Sequence, residues 1–236
     1  EPNDTTVLDF HALEFSENTE IRGTGVNLKL GAIYRPVDYI RIGAAVHLPT
    51  FYNIEENFYN SMSSSFDNGD TYSYKSQNST YEYSLQTPLK AIASFSMQIK
   101  KFGLISVDYE YVDYTKTKLS KGEDGYAFYD ENDIIKQNFN KVHNIRIGGE
   151  ARLGSLYLRG GYAYYGNSTS YIDENEKSHR NSFSAGFGYR EKAFYFDFAA
   201  VHTVYEDEIY LYLDNPIPST NTYERNRFLI TCGVKF

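Results

Sequence analysis

The last nine residues, Phe228-Leu229-Ile230-Thr231-Cys232-Gly233-Val234-Lys235-Phe236, alternate apolar side chains at every second position and stop on an aromatic. A period of two is that of a strand with one apolar face. A soluble sandwich seldom places such a strand at a free carboxyl end, although a packed C-terminal strand is the competing reading. An outer-membrane β-barrel does so routinely, because its last strand closes the wall against lipid.

Composition narrows the choice. The chain has 24 Tyr, 16 Phe and no Trp among 236 residues. Tyr and Phe favour strands, and Tyr suits an interface with one wet and one apolar side. Mean hydropathy is −0.53, and no apolar run approaches the roughly 20 residues a membrane helix needs. That excludes a helical membrane protein but not a barrel, whose strands are each only half apolar. The net charge of −8 argues against a nucleic-acid partner. The lone cysteine, Cys232, has no internal disulfide partner and reads as a small hydrophobe on the last strand. Glu1-Pro2-Asn3-Asp4 is not a signal peptide. A barrel must be exported, so a processed or truncated chain is expected.

Ten alternating segments are readable, at about 7–15, 26–34, 39–48, 89–99, 104–113, 143–153, 156–165, 182–190, 194–205 and 227–236. Short connections (Pro36-Val37-Asp38, Lys100 to Gly103, Gly154-Ser155, Glu191-Lys192) alternate with long ones at roughly 49–88, 114–142, 166–181 and 206–226, and a shorter one falls near 16–24. Bacterial barrels sort their connections in this way, with short turns on the periplasmic side and long loops outside. An even strand count puts both termini at the periplasmic side. Tyr72, Tyr74, Tyr81 and Tyr83 mark an extra hairpin within the first long loop, and no helix is expected. The fold expected is all-β, an antiparallel transmembrane β-barrel forming a single domain over 1–236.

The polar faces of these segments are charged. Lys29, Arg41, His47, Asp108, Glu110, Arg146, Glu150, Arg152 and Arg159, with Arg190 and Asp197, would face a lumen. They read either as an ion-pair network filling it or as a ligand anchor. Signals of catalysis are weak: no Gly-x-Ser-x-Gly is present, and His11, His47, His143, His179 and His202 show no metal spacing. Glu123, Asp124, Asp130, Glu131 and Asp133 fit no calcium loop and read as a solvated stretch. Gly23-Thr24-Gly25 reads as a hairpin element. No enzyme, metal or cofactor is expected.

Gly25 to Pro36, followed by Ile40-Arg41-Ile42-Gly43 and His47 to Tyr52, resembles the FadL/TodX family of outer-membrane hydrocarbon and fatty-acid channels. Leu104 to Tyr114 and Leu158 to Gly166 fit the same family. Gly-x-x-Tyr-Arg-Pro with the following Arg-x-Gly-Ala is the most specific element. The resemblance implies a fourteen-stranded barrel plugged by an N-terminal hatch, of which this chain would be the C-terminal portion, without the hatch and about four strands. Some relatives carry a hemin-receptor label.

The function expected is passive uptake of small hydrophobic molecules, long-chain fatty acids or aromatic hydrocarbons, across a bacterial outer membrane. Phe51, Tyr52, Phe58, Tyr59, Tyr126, Phe128, Tyr129, Tyr210 and Tyr212 would supply an apolar groove, and Arg41 and His47 would meet a carboxylate head group. Partners are the hydrophobic substrate, outer-membrane lipid and, through Phe236, the barrel-assembly machinery. The alternatives are a haem receptor ligated by His47 or His202, a structural or adhesive barrel with a closed lumen, and a soluble all-β binding protein.

Overall fold

The structure is a computed structural model that describes residues 10–122, 125–169, 179–209 and 219–234. These fall into two compact units. The first comprises 1–26, 51–86 and 119–129; the second comprises 27–50, 87–118 and 130–236.

The second unit is built on one antiparallel sheet of nine strands: β2 (Lys29–Val37), β3 (Ile40–His47), β7 (Lys90–Ile99), β8 (Gly103–Asp113), β10 (Lys141–Leu153), β11 (Leu156–Tyr165), β12 (Arg180–Arg190), β13 (Phe194–Ile209) and β14 (Ser219–Val234). Each pairs with its neighbour in chain order, and nine of the ten segments legible in the sequence become these strands. The short turns are tight. Leu153 pairs Leu156 across Gly154-Ser155, where Gly154 takes φ +67°, a left-handed value that glycine adopts without steric cost.

Register puts each alternation to use. Ile42, Phe95, Val107, Ile147 and Tyr162 form one cross-strand row, continued by Phe183. That face stays open: Ile42 and Ile147 are 47% exposed and Phe183 54%. Leu28, on the same apolar set, is 55% exposed. Phe196 is half-buried, but against Phe187 of its own face, with ring centroids 6.1 Å apart. Nothing in the unit stacks a second sheet over these residues, so no dry sandwich core forms among the described residues. Among the described residues of this unit the buried hydrophobes reduce to Val112, Ile135 and Val142. Cys232 lies on this outward face, exposed, opposite Phe196.

The first unit holds a five-stranded sheet of order β1 (Phe10–Val26), β4 (Phe51–Phe66), β6 (Ser79–Gln86) and β9 (Lys118–Ser120), with β5 (Thr71–Lys75) also on β4. Several expectations change here. The segment at 7–15 belongs, from Phe10 onward, to β1 of this sheet and not to the nine-stranded one. The connection near 16–24, with Gly23-Thr24-Gly25, is the interior of that strand, paired to Asn53, Ile54 and Tyr52. The long loop at 49–88 is three strands. Tyr72 and Tyr81 do not sit on one hairpin, because β5 and β6 pair with different halves of β4. With nine strands, β2 starts at the long-loop end and β14 finishes at the short-turn end, so the even-count placement of the termini does not apply to this sheet.

Two further loops gain structure. The 114–142 connection holds a 3₁₀ turn at Tyr114–Lys116, β9 and a helix, α1 (Tyr129–Asn138). Asp130 and Glu131 stand in its first turn and Lys136 in its last, the charge order a helix dipole favours. The 206–226 connection shortens, since β13 runs to Ile209 and β14 begins at Ser219. Tyr210, Tyr212, Glu123, Asp124 and Phe236 lie outside the described residues.

Face assignment has a direct test. Ile147→Lys puts a cation on the outward face near the middle of β10 and should cost about 2–4 kcal/mol in urea unfolding from phospholipid vesicles. Ser106→Lys, on the opposite face of β8, should cost under about 1 kcal/mol. Equal costs would show that the two faces meet the same solvent.

Candidate functional site

The face opposite the apolar one bounds a cavity of about 1430 Å³, lined from Lys90 of β7 round to Arg225 and Arg227 of β14. Its polar groups fall into two clusters. In the upper one, Asp108 pairs Arg146 and Glu110 pairs Asn144 across the β8–β10 ladder. The Ser94 hydroxyl donates to Asp108 Oδ1, and Asn144 Nδ2 donates to Glu110 Oε1 at 2.8 Å. Asn144, 6% exposed, also accepts from the Gly166 N–H, and Arg146 lies 3.8 Å from Glu110. The nitrogen and the oxygen of the buried amide therefore each have a partner, as burial requires.

The second cluster sits toward the short-turn end. Arg152 Nε and Arg159 Nε donate to the two oxygens of Glu150 at 2.7 and 2.8 Å. Arg159 Nη1 reaches Asp197 Oδ1 at 2.6 Å, and Arg190 stands 3.6 Å from the other oxygen of Asp197. Three guanidiniums and two carboxylates thus alternate across β10, β11, β12 and β13, and the Tyr157 ring lies within 6 Å of all three guanidiniums. Such half-buried pairs need each partner present, because removing one leaves a poorly hydrated charge.

Arg159 and Asp197 are on strands that do not touch, since β12 runs between them. They meet because β12 presents Gly186 opposite Arg159 and Gly188 opposite Asp197. A Cβ built at Gly188 would collide with the Asp197 carboxylate and stand 3.3 Å from Arg159 Nη1. The two glycines form a saddle through which the salt bridge passes.

Of the residues singled out in the sequence, Asp108, Glu110, Arg146, Glu150 and Arg159 border the cavity, and Arg152 joins the ion chain beside it. Lys29, Arg41 and His47 share the polar face by register but do not line the cavity. His47 pairs Lys29 and Lys90 across the ladder. His202 lies on the opposite face, with Nδ1 2.8 Å from Asn226, so the two haem-ligand candidates point to different sides of the sheet. His143 bonds the Tyr109 hydroxyl and His11 meets Asp67. No cluster of three metal-binding side chains occurs among the described residues.

The aromatic loop residues divide between the two faces of the first unit's sheet. Phe15, Met62 and Tyr74 form one row, and Ile54 and Tyr83 another, with Phe58 and Tyr52 on that same apolar side. Phe128 covers Tyr81 and Tyr83 with ring centroids 6.3 and 6.0 Å away. Burial, then the nearby Glu56 carboxylate, pushes the Tyr83 phenol above its ordinary pKa, so it stays a donor at physiological pH. Phe51 and Tyr59 face the polar side, where Lys75 Nζ sits 3.6 Å over the Tyr59 ring. Tyr129 is exposed.

No protein-family model and no curated protein matches the sequence. Solved structures do. A FadL homologue from Pseudomonas aeruginosa aligns with TM-score 0.50 and 12% identity, over 91% of this chain and 67% of that one. The chain has the FadL-type β-barrel fold. The CymD monoaromatic hydrocarbon channel aligns at 14% identity and TM-score 0.49, over 75% of this chain and 46% of its own. The Ralstonia pickettii toluene transporter TbuX aligns at 12% and 0.43, over 92% and 69%. The chain therefore spans between 46% and 69% of the length of these FadL-type proteins. The resemblance read from the sequence holds at the level of fold.

Sequence reasoning passed over Tyr157, Asn144, Tyr165, Arg180, Arg225 and Arg227. Tyr157 and Tyr165 were placeable, because both fall on the Arg159 side of β11 by parity. Arg180 and Arg225 lay in stretches assigned to loops, and Arg227 at the first position of the last strand was not singled out. The Gly186-x-Gly188 spacing was the available signal for a side-chain bridge over β12.

Gly188→Ala should lower stability by about 1–3 kcal/mol in urea unfolding from detergent micelles, because it separates the Arg159–Asp197 pair. In the Asp197→Ala background the same substitution should cost clearly less. Full additivity of the two changes would remove the saddle from the account.

Proposed function

We propose that this chain forms part of an outer-membrane channel for passive uptake of small hydrophobic molecules. One observation carries the reading: the nine-stranded sheet turns exposed apolar side chains to one side and borders a partly open cavity of about 1430 Å³ on the other. A wall between hydrocarbon and a hydrated lumen needs that arrangement. The FadL-type fold and the Gly-x-x-Tyr-Arg-Pro resemblance support it. The location proposed is the bacterial outer membrane, with its lipid as the partner of the outward face and Phe236 as the signal for barrel assembly.

The first unit contributes the apolar row Phe15–Met62–Tyr74, whose members are about half exposed or more. An apolar solute gains roughly 25 cal/mol for each Å² it withdraws from water there, which favours capture before entry. The second unit supplies the cavity. Asp108, Glu110, Arg146, Glu150 and Arg159 are proposed as its polar lining, with Lys29, Arg41 and His47 farther along the same polar face, and Glu150, Arg152 and Arg159 acting with Asp197 and Arg190 as the barrier at the short-turn end. β2 and β14 end the sheet, and in hydrocarbon their outer N–H and C=O groups require partner strands to complete the wall.

Flux of radiolabelled oleate and of toluene into vesicles carrying the protein should exceed that into empty vesicles. Absence of flux for both solutes would end the reading. Phe15→Ser with Tyr74→Ser should lower the rate at low solute concentration several-fold and leave the saturated rate unchanged.

A further inference from the structure

At the long-loop end of the second unit's cavity lies a set of groups that the ion chain does not use. Tyr165 of β11 pairs Arg180 of β12, and Tyr205 of β13 pairs Tyr223 of β14. The Arg180 guanidinium carbon stands 4.1 Å from the Tyr165 ring centroid. Tyr205 and Tyr223 stack with centroids 4.8 Å apart and planes 11° from parallel. Arg225 and Arg227 follow Tyr223 on the same side of β14, and all six side chains border the cavity.

Charge along the cavity as a whole is unbalanced. Six cationic residues line the cavity against four carboxylates, in a chain whose net charge is −8. Arg146 and Arg159 are committed to Glu110 and Glu150. Arg180, Arg225 and Arg227 have no carboxylate within 4 Å among the described residues. A lumen that only filled itself with ion pairs would not concentrate its unpaired guanidiniums beside its stacked rings.

We infer that this end of the cavity binds an aromatic carboxylate. A guanidinium presents two parallel N–H donors that match the two oxygens of a carboxylate. The tyrosine rings present flat faces on which an aromatic ring stacks at the separation the Tyr205–Tyr223 pair already adopts. A carboxylate on an alkyl chain uses the arginines but not the ring faces. A neutral aromatic uses the rings but leaves the guanidiniums unpaired. Only a ligand with both parts satisfies both halves. This assignment rests on the uptake reading and names a substrate class for it.

Calorimetric titration of the full chain in detergent with benzoate, hexanoate and toluene tests it. Benzoate should bind at least about tenfold more tightly than either comparator. Arg225→Ala with Arg227→Ala should weaken benzoate by about tenfold or more and leave toluene unchanged, whereas Arg225→Lys with Arg227→Lys should retain part of the affinity. Tyr223→Leu should weaken benzoate more than hexanoate. Equal binding of benzoate and hexanoate, or benzoate binding unaltered in the double alanine variant, overturns the inference. Toluene and oleate flux into vesicles separates the two claims. Intact flux with no benzoate binding removes this subsite alone, and benzoate binding without flux removes the uptake reading alone.

Discussion

The cross-strand hydrogen-bond ladder is the interaction on which everything else in this protein depends. Backbone N–H and C=O groups find no water in hydrocarbon, so each must be paired within the chain, and an antiparallel sheet with chain-order neighbours achieves this at the lowest connection length. Once the ladder is imposed, successive side chains must point to opposite sides. The chain then needs only to alternate polarity. From β2 to β14 it does so, and among the described residues of this unit no second sheet covers the apolar set.

Turning polar groups to an enclosed side creates a second problem, since charges there are only partly hydrated. The chain solves it mainly by pairing. Glu150 receives two arginines, Asp197 receives two, and Glu110 receives Arg146 with Asn144. The Arg159–Asp197 bridge spans a whole intervening strand, and its length is matched by the absence of side chains at Gly186 and Gly188. Glycine, usually poor in strands, is favourable here because what it omits is the obstacle. The pairing weakens toward the long-loop end, where Arg180 lies over the Tyr165 ring and, among the described residues, has no carboxylate within 4 Å.

The first unit follows the same ladder logic with a different division of faces. Its row Phe15–Met62–Tyr74 is apolar, while the reverse side is rich in Ser, Asn and Glu. Phe15, Met62 and Tyr74 are each about half exposed or more, so this row is an apolar surface built by the first unit alone.

Period two by itself determined the strand class, all nine strands of the wall, the direction of each face, and the set of charges on its polar side. These are local properties: alternation along a strand is legible without knowing its neighbours. Strand β4 was hidden because Ser and Asn interrupt its apolar alternation, whereas the tyrosines of β5 and β6 marked both as extended but not their separate pairing with β4. Helix α1 was hidden because its apolar face is slight, with Ile135 alone buried. Which charges pair, which border a cavity and which remain free was decided only by register, since Arg159 and Asp197 stand 38 residues apart and meet through strand order and a glycine saddle. Local pattern dictates which way a side chain points; only the closed set of pairings dictates what it meets there.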